Sequence, residues 1–414
     1  MLDVTTTETG VERPANAITV RPFRLLWLNN ICFFLVSNAQ RFVFGWLVLD
    51  GLNRSESDQG VVVFTLGLPS ALLVLQAGVW ADRWDRRSML IWTQVGGGAV
   101  MAITALLIRA DALSFNWVIV VTLLAGAASA IGQPVRSALI PALVHKDQLF
   151  SAIAINAIAM TLSLILGPVL AKVVGDQWGF DGAFWFQAGL MFAGVLFLLR
   201  LDVPPHADLA PKRSVLAETK DGLRHVVGDD NLRVLFGLLV MASLTVNPAI
   251  MVTLQAHVKD GLGRTAGEAA APFALMGLGI AISSFVVMRK GNMKHKGAAF
   301  QRALICGSTI TILTGRTTEM WQVLVLSFAM GLAGGFYINM NQGLIQANTP
   351  QPLMGRVMGL YALTSFGIMP FGALLLGVVA FWTSPGAAIS GAAAVCLAVV
   401  VTTYVRQREL RELA

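Results

Sequence analysis

Gly78-Val79-Trp80-Ala81-Asp82-Arg83-Trp84-Asp85-Arg86-Arg87 decides how the rest of the chain is read. An apolar run from about Val61 to Ala77 precedes it, and another from about Met89 to Ile108 follows. Five charges in six residues cannot rest in hydrocarbon, whereas the flanking runs are long enough to cross it. The stretch is therefore a short polar hairpin between two spanning helices. Gly78 removes a side chain where two helices must approach at a tight turn. Asp82 and the arginines after it can pair with one another and cap helix ends, which locks the turn as well as closing it.

Composition agrees with this reading. Hydrophobic residues make up 56% of the 414 and charged residues only 13%, about half the charged share of a soluble domain, and mean hydropathy is +0.69. These values exclude a water-soluble globular domain and indicate a polytopic membrane protein. The net charge of +7 does not make a nucleic-acid surface, because the arginines are scattered between apolar runs. Cys32, Cys306 and Cys396 each fall inside a separate predicted helix, so they form neither a disulfide framework nor a metal motif. There is no Gly-Lys-Thr/Ser phosphate loop, and Gly96-Gly97-Gly98 sits mid-helix as a close-packing patch. No ATP-driven step, enzyme activity, cofactor or metal is expected.

Twelve apolar segments follow, each close to the ~20 residues that span a bilayer. The first six cover 23–49, 59–81, 88–109, 116–143, 151–174 and 183–201. The second six cover 232–258, 269–288, 298–315, 320–347, 355–381 and 387–405. The expected organisation is an N-terminal tail (1–21), a six-helix bundle (22–201), a linker (202–231), a second six-helix bundle (232–405) and a C-terminal tail (406–414). The first tail holds Asp3, Glu8 and Glu12 without a short apolar core, which reads as a cytoplasmic tail and not a signal peptide. The linker carries Pro204, Pro205, Pro211 and Lys212-Arg213, with an amphipathic piece around 215–227. With both termini inside, cytoplasmic segments hold 22 of the 30 Lys and Arg and outer loops hold 6. That bias argues for an N-in, C-in arrangement.

The pattern Gly78-x-x-x-Asp82-Arg83-x-x-Arg86-Arg87, placed between the second and third helices, resembles the signature loop of the major facilitator superfamily of secondary transporters. The family usually has Gly where this chain has Asp85, so a less tight turn is expected there. Further stretches are similar to one bacterial efflux branch, that of the enterobactin exporter and the transmembrane secretion effectors. They are Trp46-Leu47-Val48-Leu49-Asp50, Gln133-Pro134-x-Arg136, and Asn348-Thr349-Pro350 followed by Met354-Gly355-Arg356-Val357-Met358. The likeness runs from about residue 21 to 405. It implies an all-α protein of the cell inner membrane, with twelve transmembrane helices in two bundles that rock about a midplane site. It also implies export of a small amphiphilic organic compound, such as a drug or secondary metabolite, by a monomeric multidrug-type antiporter coupled to protons. Siderophore export, lipid flipping and a non-transporting sensor of the same fold remain as alternatives. A faint echo between the helix 4–5 and helix 10–11 junctions fits duplicated halves. Residues 289–296 stand where the second signature loop would be and lack its Asp.

Candidate transport residues come from polar groups within apolar runs. Asn30, Ser37, Asn38 and Arg41 form a stripe on helix 1, with spacings of 7, 4 and 3 that share a helical face. A charge in a spanning helix is costly and usually faces water or a partner. Arg41 either holds an anionic group of the substrate or pairs with Asp50 or a helix end. Arg136 either snorkels to headgroups or caps the helix 4–5 turn. Gln133, Asn247 beside Pro248, Asn339 and Asn341 can bind substrate or bridge helices. Gly167-Pro168 resembles the Gly-Pro of the family's antiporter motif and bends helix 5. The family picture makes Gly78, Asp82, Arg83, Arg86 and Arg87 a gate that latches helices 2 and 3 against the other half. None of the 23 acidic residues falls mid-helix. Asp50, at the outer end of helix 1, is the nearest candidate for proton coupling.

Overall fold

The computed structural model describes residues 4–5, 13–14, 17–145, 148–203, 215–290, 295–350 and 353–407. Helices make up almost all of it; the one β pairing, Val4–Thr5 with Arg13–Pro14, is two residues long. The side chains of Gly78, Asp82 and Arg83, and the stretches 204–214 and 291–294, lie outside the described residues.

Local chemistry sets the helix ends. Helix α1 (Arg21–Trp46) opens with a proline in its first turn and runs on through a wider turn to Gly51. Ser55 accepts from the Asp58 amide to start α2 (Glu56–Arg83), whose first turn also carries Glu56 and Asp58. Only Trp84 and Asp85 separate α2 from α3 (Arg86–Arg109). The Asp85 carboxylate accepts from the Ser88 amide at 2.8 Å. The departure from the family's glycine is thus an N-cap: what the turn loses in conformational freedom, the third helix gains as a start signal.

After α4 (Phe115–Leu143) comes one continuous stretch, Leu149–Leu199, of 51 residues. At 1.5 Å per residue it would be about 77 Å long, far more than one bilayer crossing. Gly179, at φ 76° and ψ 178°, breaks it into α5 (149–178) and α6 (180–199). The linker holds α7 (Val215–Gly228), and the second half continues with α8 (Asp230–Gly261), α9 (Ala266–Arg289), α10 (Lys296–Thr314), α11 (Met320–Ala347), α12 (Met354–Trp382) and α13 (Pro385–Arg406). The twelve expected segments match α1–α6 and α8–α13 to within four residues at each end. Among the described residues nine helices are long and apolar enough to cross a membrane, with the broken 151–199 stretch as one of them. Helices α2 and α10 fall outside that set.

Two glycines show how each half is knit. A Cβ at Gly126 of α4 would lie 2.1 Å from the Leu66 carbonyl of α2. A Cβ at Gly331 of α11 would lie 2.1 Å from the Met276 carbonyl of α9. The same helix pairing, counted from the start of each half, depends on the same backbone-on-backbone approach, which only glycine permits. Between the halves, α2 lies along α12 and α5 along α9, with α1 and α8 facing the middle.

Candidate functional site

Between the halves, at mid-height of α1, lies a narrow cavity of about 30 Å³ lined by Asn38, Arg41, Phe42, Leu164, Pro168, Met251, Phe273 and Met276. Helices α1 and α5 supply one wall and α8 and α9 the other. The volume holds one or two water molecules. Gly167 fixes its shape: a Cβ there would meet the α1 backbone at Ala39 N and Leu35 O, each at 3.0 Å. Gly167-Pro168 therefore lets α5 lie directly against α1 beside Asn38.

Arg41 lines this cavity and is exposed, and among the described residues no hydrogen bond or ion pair reaches it. The alternative of an Arg41–Asp50 pair is corrected. Nine residues along a helix separate the two by about 14 Å, and Asp50 has other partners. Asn38, which lines the cavity, donates to the Phe34 carbonyl at 3.0 Å. The Ser37 hydroxyl is buried without a partner among the described residues. Asn247 is half-buried on α8, one turn before Met251. Gln133 is exposed on α4, away from the cavity lining. Asn339 bridges α11 to α9 by donating to Ser284 Oγ at 2.8 Å and also bonds the Gly335 carbonyl at 2.7 Å. Of the residues singled out from sequence, the cavity brings together Asn38, Arg41 and Pro168. Its apolar wall (Phe42, Leu164, Met251, Phe273, Met276) carries no signal that separates it from ordinary helix packing.

Arg136 neither snorkels nor caps the turn. It is 1% exposed, inside the first bundle. Its guanidinium donates to Gln94 Oε1 at 2.5 Å and lies over the Phe33 ring, 3.7 Å from the centroid. Gln94 Oε1 also accepts from Asn29 Nδ2 at 2.8 Å, while Gln94 Nε2 donates to the Met191 carbonyl and Asn29 Nδ2 to the Gly194 carbonyl. One arginine and two amides thereby tie α1, α3, α4 and α6 together. Asn29 and Gln94 escape notice in the sequence because an amide in an apolar run does not reveal its partner.

Among the described residues, side-chain clasps between the halves are found at the end away from the signature hairpin. Gln59 Nε2 donates to Gln255 Oε1 at 2.7 Å, and Gln255 Nε2 donates to the Phe42 carbonyl at 3.0 Å; both glutamines are fully buried. A Cβ at Gly45 would fall 2.1 Å from Gln255 Oε1. Asp50 accepts from Trp46 Nε1 at 3.0 Å and from the Gly267 amide at 3.4 Å, and Lys259 Nζ stands 3.8 Å from it. Lys259 also reaches the Leu49 carbonyl and Asn53. Asp50 is thus a member of a latch between halves, and no carboxylate is among the cavity-lining residues.

At the hairpin end, Arg86 donates to the Ala138 carbonyl at 3.2 Å, and Arg87 to the Leu198 and Leu199 carbonyls at 2.9 and 2.6 Å. These partners belong to the first half, Ala138 near the end of α4 and Leu198 and Leu199 in the closing turn of α6. The side chains of Asp82, Arg83 and Gly78 lie outside the described residues. Asp85, in the two-residue turn, is exposed, and the slight desolvation by its neighbours works against its charge. Hydrogen bonds from Ser88 and the Arg87 backbone, with the Arg87 charge, outweigh that and hold its carboxyl below the usual range. A second hollow, of about 610 Å³, opens beside α3 and α4 behind the exposed Trp84 and Trp92. Among the described residues no group of three or more His, Cys, Asp or Glu is placed to hold a metal.

Comparison with known proteins fits this geometry. The enterobactin exporter EntS of Shigella boydii serotype 4 (strain Sb227) is 26% identical over 329 residues, 77% of this chain and 75% of that protein. The crystal structure of the nucleoside transporter NupG aligns with a TM-score of 0.72 at 14% identity, covering 93% of this chain and 98% of that one. A POT family transporter in complex with a thioalcohol-conjugated peptide aligns with a TM-score of 0.75 at 11% identity, covering 94% and 96%. The family model described as Major Facilitator Superfamily matches residues 26–373. The chain, a multi-pass protein of the inner membrane, belongs to the major facilitator superfamily.

Proposed function

We propose that the chain is a secondary exporter of small amphiphilic organic compounds, neutral or anionic, working by alternating access between the bundles 22–201 and 232–405. The observation that carries this reading is Arg41: a cation in a cavity between the halves, facing no carboxylate among the lining residues. Such a charge is stabilised when an anionic group arrives and repels a cationic one. The apolar wall of Phe42, Phe273, Met251 and Met276 suits the rest of an amphiphile. On this reading α1–α6 and α8–α13 are twelve spans with both termini inside, and the monomer is the working unit. The end holding the Gln59–Gln255 and Asp50–Lys259 clasps is the outer gate, closed in this state. A 30 Å³ cavity is too small for such a cargo, so binding belongs to a state in which the α5 and α9 walls have parted. Gly78, Asp82, Arg83, Arg86 and Arg87 form the inner gate, and the bonds of Arg87 to α6 of its own half suit a gate at rest. Proton coupling comes from the family likeness; Asp50 is its candidate, since its partners change when the outer gate opens.

The deciding experiment is substrate-driven proton movement in liposomes, with wild type beside Arg41→Ala and Asp50→Asn and a panel of anionic, neutral and cationic amphiphiles. The reading expects anionic or neutral compounds to move and Arg41→Ala to lose the anionic ones. Cargo movement without proton flux would leave a uniporter or a flippase. Preference for cations, retained in Arg41→Ala, would sink the assignment of Arg41. A dedicated siderophore exporter is the second reading, favoured by the similarity to EntS. It expects one siderophore to outcompete the whole panel.

A further inference from the structure

Helix α7 (Val215–Gly228) is fixed in place on one side. Gly222 lets it lie against the start of α12, where a Cβ would come within 3.2 Å of Arg356 Cβ, and Arg356 Nη1 pairs with Asp221 Oδ2 at 3.3 Å. Val226, one turn on from Gly222, is buried. At the far end of α7, Arg233 donates to the Val227 carbonyl and pairs with Asp230, which ties the last turn of α7 to the first turn of α8.

Its other face is unlike a solvated surface. Lys220, Leu223, Arg224 and Val227 follow at i, i+3, i+4 and i+7, on an arc of about 100° turned away from Gly222 and Val226. All four are exposed, Leu223 by 51% and Val227 by 54%. Two large apolar side chains stacked one turn apart, each beside a cation, cost free energy in water. At a bilayer surface the arrangement is favourable: the apolar pair sinks between headgroups, and the Lys and Arg stems reach up to phosphates. The chain leaves no choice about distance. The apolar helix α8 starts at Asp230, two residues after Gly228, and two residues span at most about 7 Å. The end of α7 therefore lies within one headgroup layer of the hydrocarbon.

We infer that the Lys220–Leu223–Arg224–Val227 face of α7 is a membrane-surface site that seats on anionic phospholipid headgroups. It is separate from the central cavity and does not depend on what the cavity carries. Because α7 is tied to α12 through Arg356 and Asp221, it gives the second bundle a fixed height against the bilayer surface.

The test uses the full chain with Leu223→Cys labelled by an environment-sensitive fluorophore, in a background where the exposed Cys306 is replaced by Ser. The protein is placed in nanodiscs of phosphatidylcholine, with or without phosphatidylglycerol. With the anionic lipid, nitroxide-bearing lipids are expected to quench the label and aqueous iodide to fail; high salt should weaken this. Lys220→Gln and Arg224→Gln should each lower the seated fraction relative to the free one by about fivefold, since one cation near an anionic surface is worth about that much. Hydrogen exchange over 219–228 in the unlabelled wild type gives a second readout that needs no substitution, with slower exchange expected in the anionic bilayer. A label equally open to iodide in both lipids, with exchange indifferent to composition, would overturn the inference. So would a label shielded only when soluble protein is added, because the face would then belong to a protein partner.

Discussion

Arg41 and Arg136 bring the same charge into the same bundle and meet opposite surroundings. Arg41 lines the cavity, where no carboxylate is among the described lining residues, and on the proposed reading its charge serves a ligand. Replacing it with Ala is expected to lower transport of anionic cargo by tenfold or more, about the worth of one charge-assisted hydrogen bond. The variant should still fold, which size-exclusion behaviour and thermal unfolding in detergent would check. Unchanged transport of every anion would remove Arg41 from the binding site. Arg136 is instead a structural cation held by an amide and an aromatic face. Here removing the acceptor is worse than removing the charge. Gln94→Ala should destabilise the protein by about 2 kcal/mol, because it removes the side-chain acceptor of the buried guanidinium and one of the two bonds of the Asn29 amide. Arg136→Met, which fills similar space, should cost less. Thermal unfolding of the two variants side by side decides this, and the reverse order would refute it.

The Asp85 cap belongs to the scale of the element. Asp85→Ala is expected to loosen the start of α3 by about 1 kcal/mol, whereas Asp85→Asn should be nearly silent, since Asn caps as well as Asp. Hydrogen exchange in the first turn of α3 reads this directly; equal effects of Ala and Asn would mean that charge, not capping, matters. The sign of the pH dependence follows from the lowered carboxyl pKa. The stabilisation is complete above the ordinary carboxylate pKa and fades as pH falls through the lowered folded-state value. The same scale explains why the helices were so legible. Long apolar runs, Ser55, Asp85 and Gly179 are local signals that mark a boundary or break where the structure has one, whereas Pro69, Pro134, Pro141 and Pro168 lie inside helices.

For the whole molecule, the far-end clasps hold the two halves in one arrangement. Lys259→Met removes the partner of Asp50 and its contacts to Leu49 and Asn53. It is expected to shift the population towards the state open at that end, by about tenfold for an interaction of 1–2 kcal/mol. Spin labels placed across that end should report a longer distance population. An unaltered distance distribution, with unaltered transport, would show that Asp50 and Lys259 hold nothing. Gly45→Val should act in the same direction by pushing Gln255 out of its bond with Gln59.

Much of this molecule was determined by the sequence alone. Hydrocarbon admits only long apolar helices and a charged hairpin cannot be submerged, so composition and apolar run length suffice for class and segmentation, while the family rested on resemblance to the Gly78–Arg87 motif. Arg41 stood out for the same reason, as a charge where charge is expensive. The tertiary structure decided which polar groups meet. It turned Arg136 from a surface anchor into the hub of the first bundle, gave Asp50 at the outer end of α1 a place in a latch between halves, and made Asn339 a bridge between helices. It also brought in Asn29, Gln94 and the Gln59–Gln255 pair, 196 residues apart in sequence. A residue's type is local information and sets its cost in a membrane. Its partner is set by how two bundles pack, and no spacing within one helix encodes that.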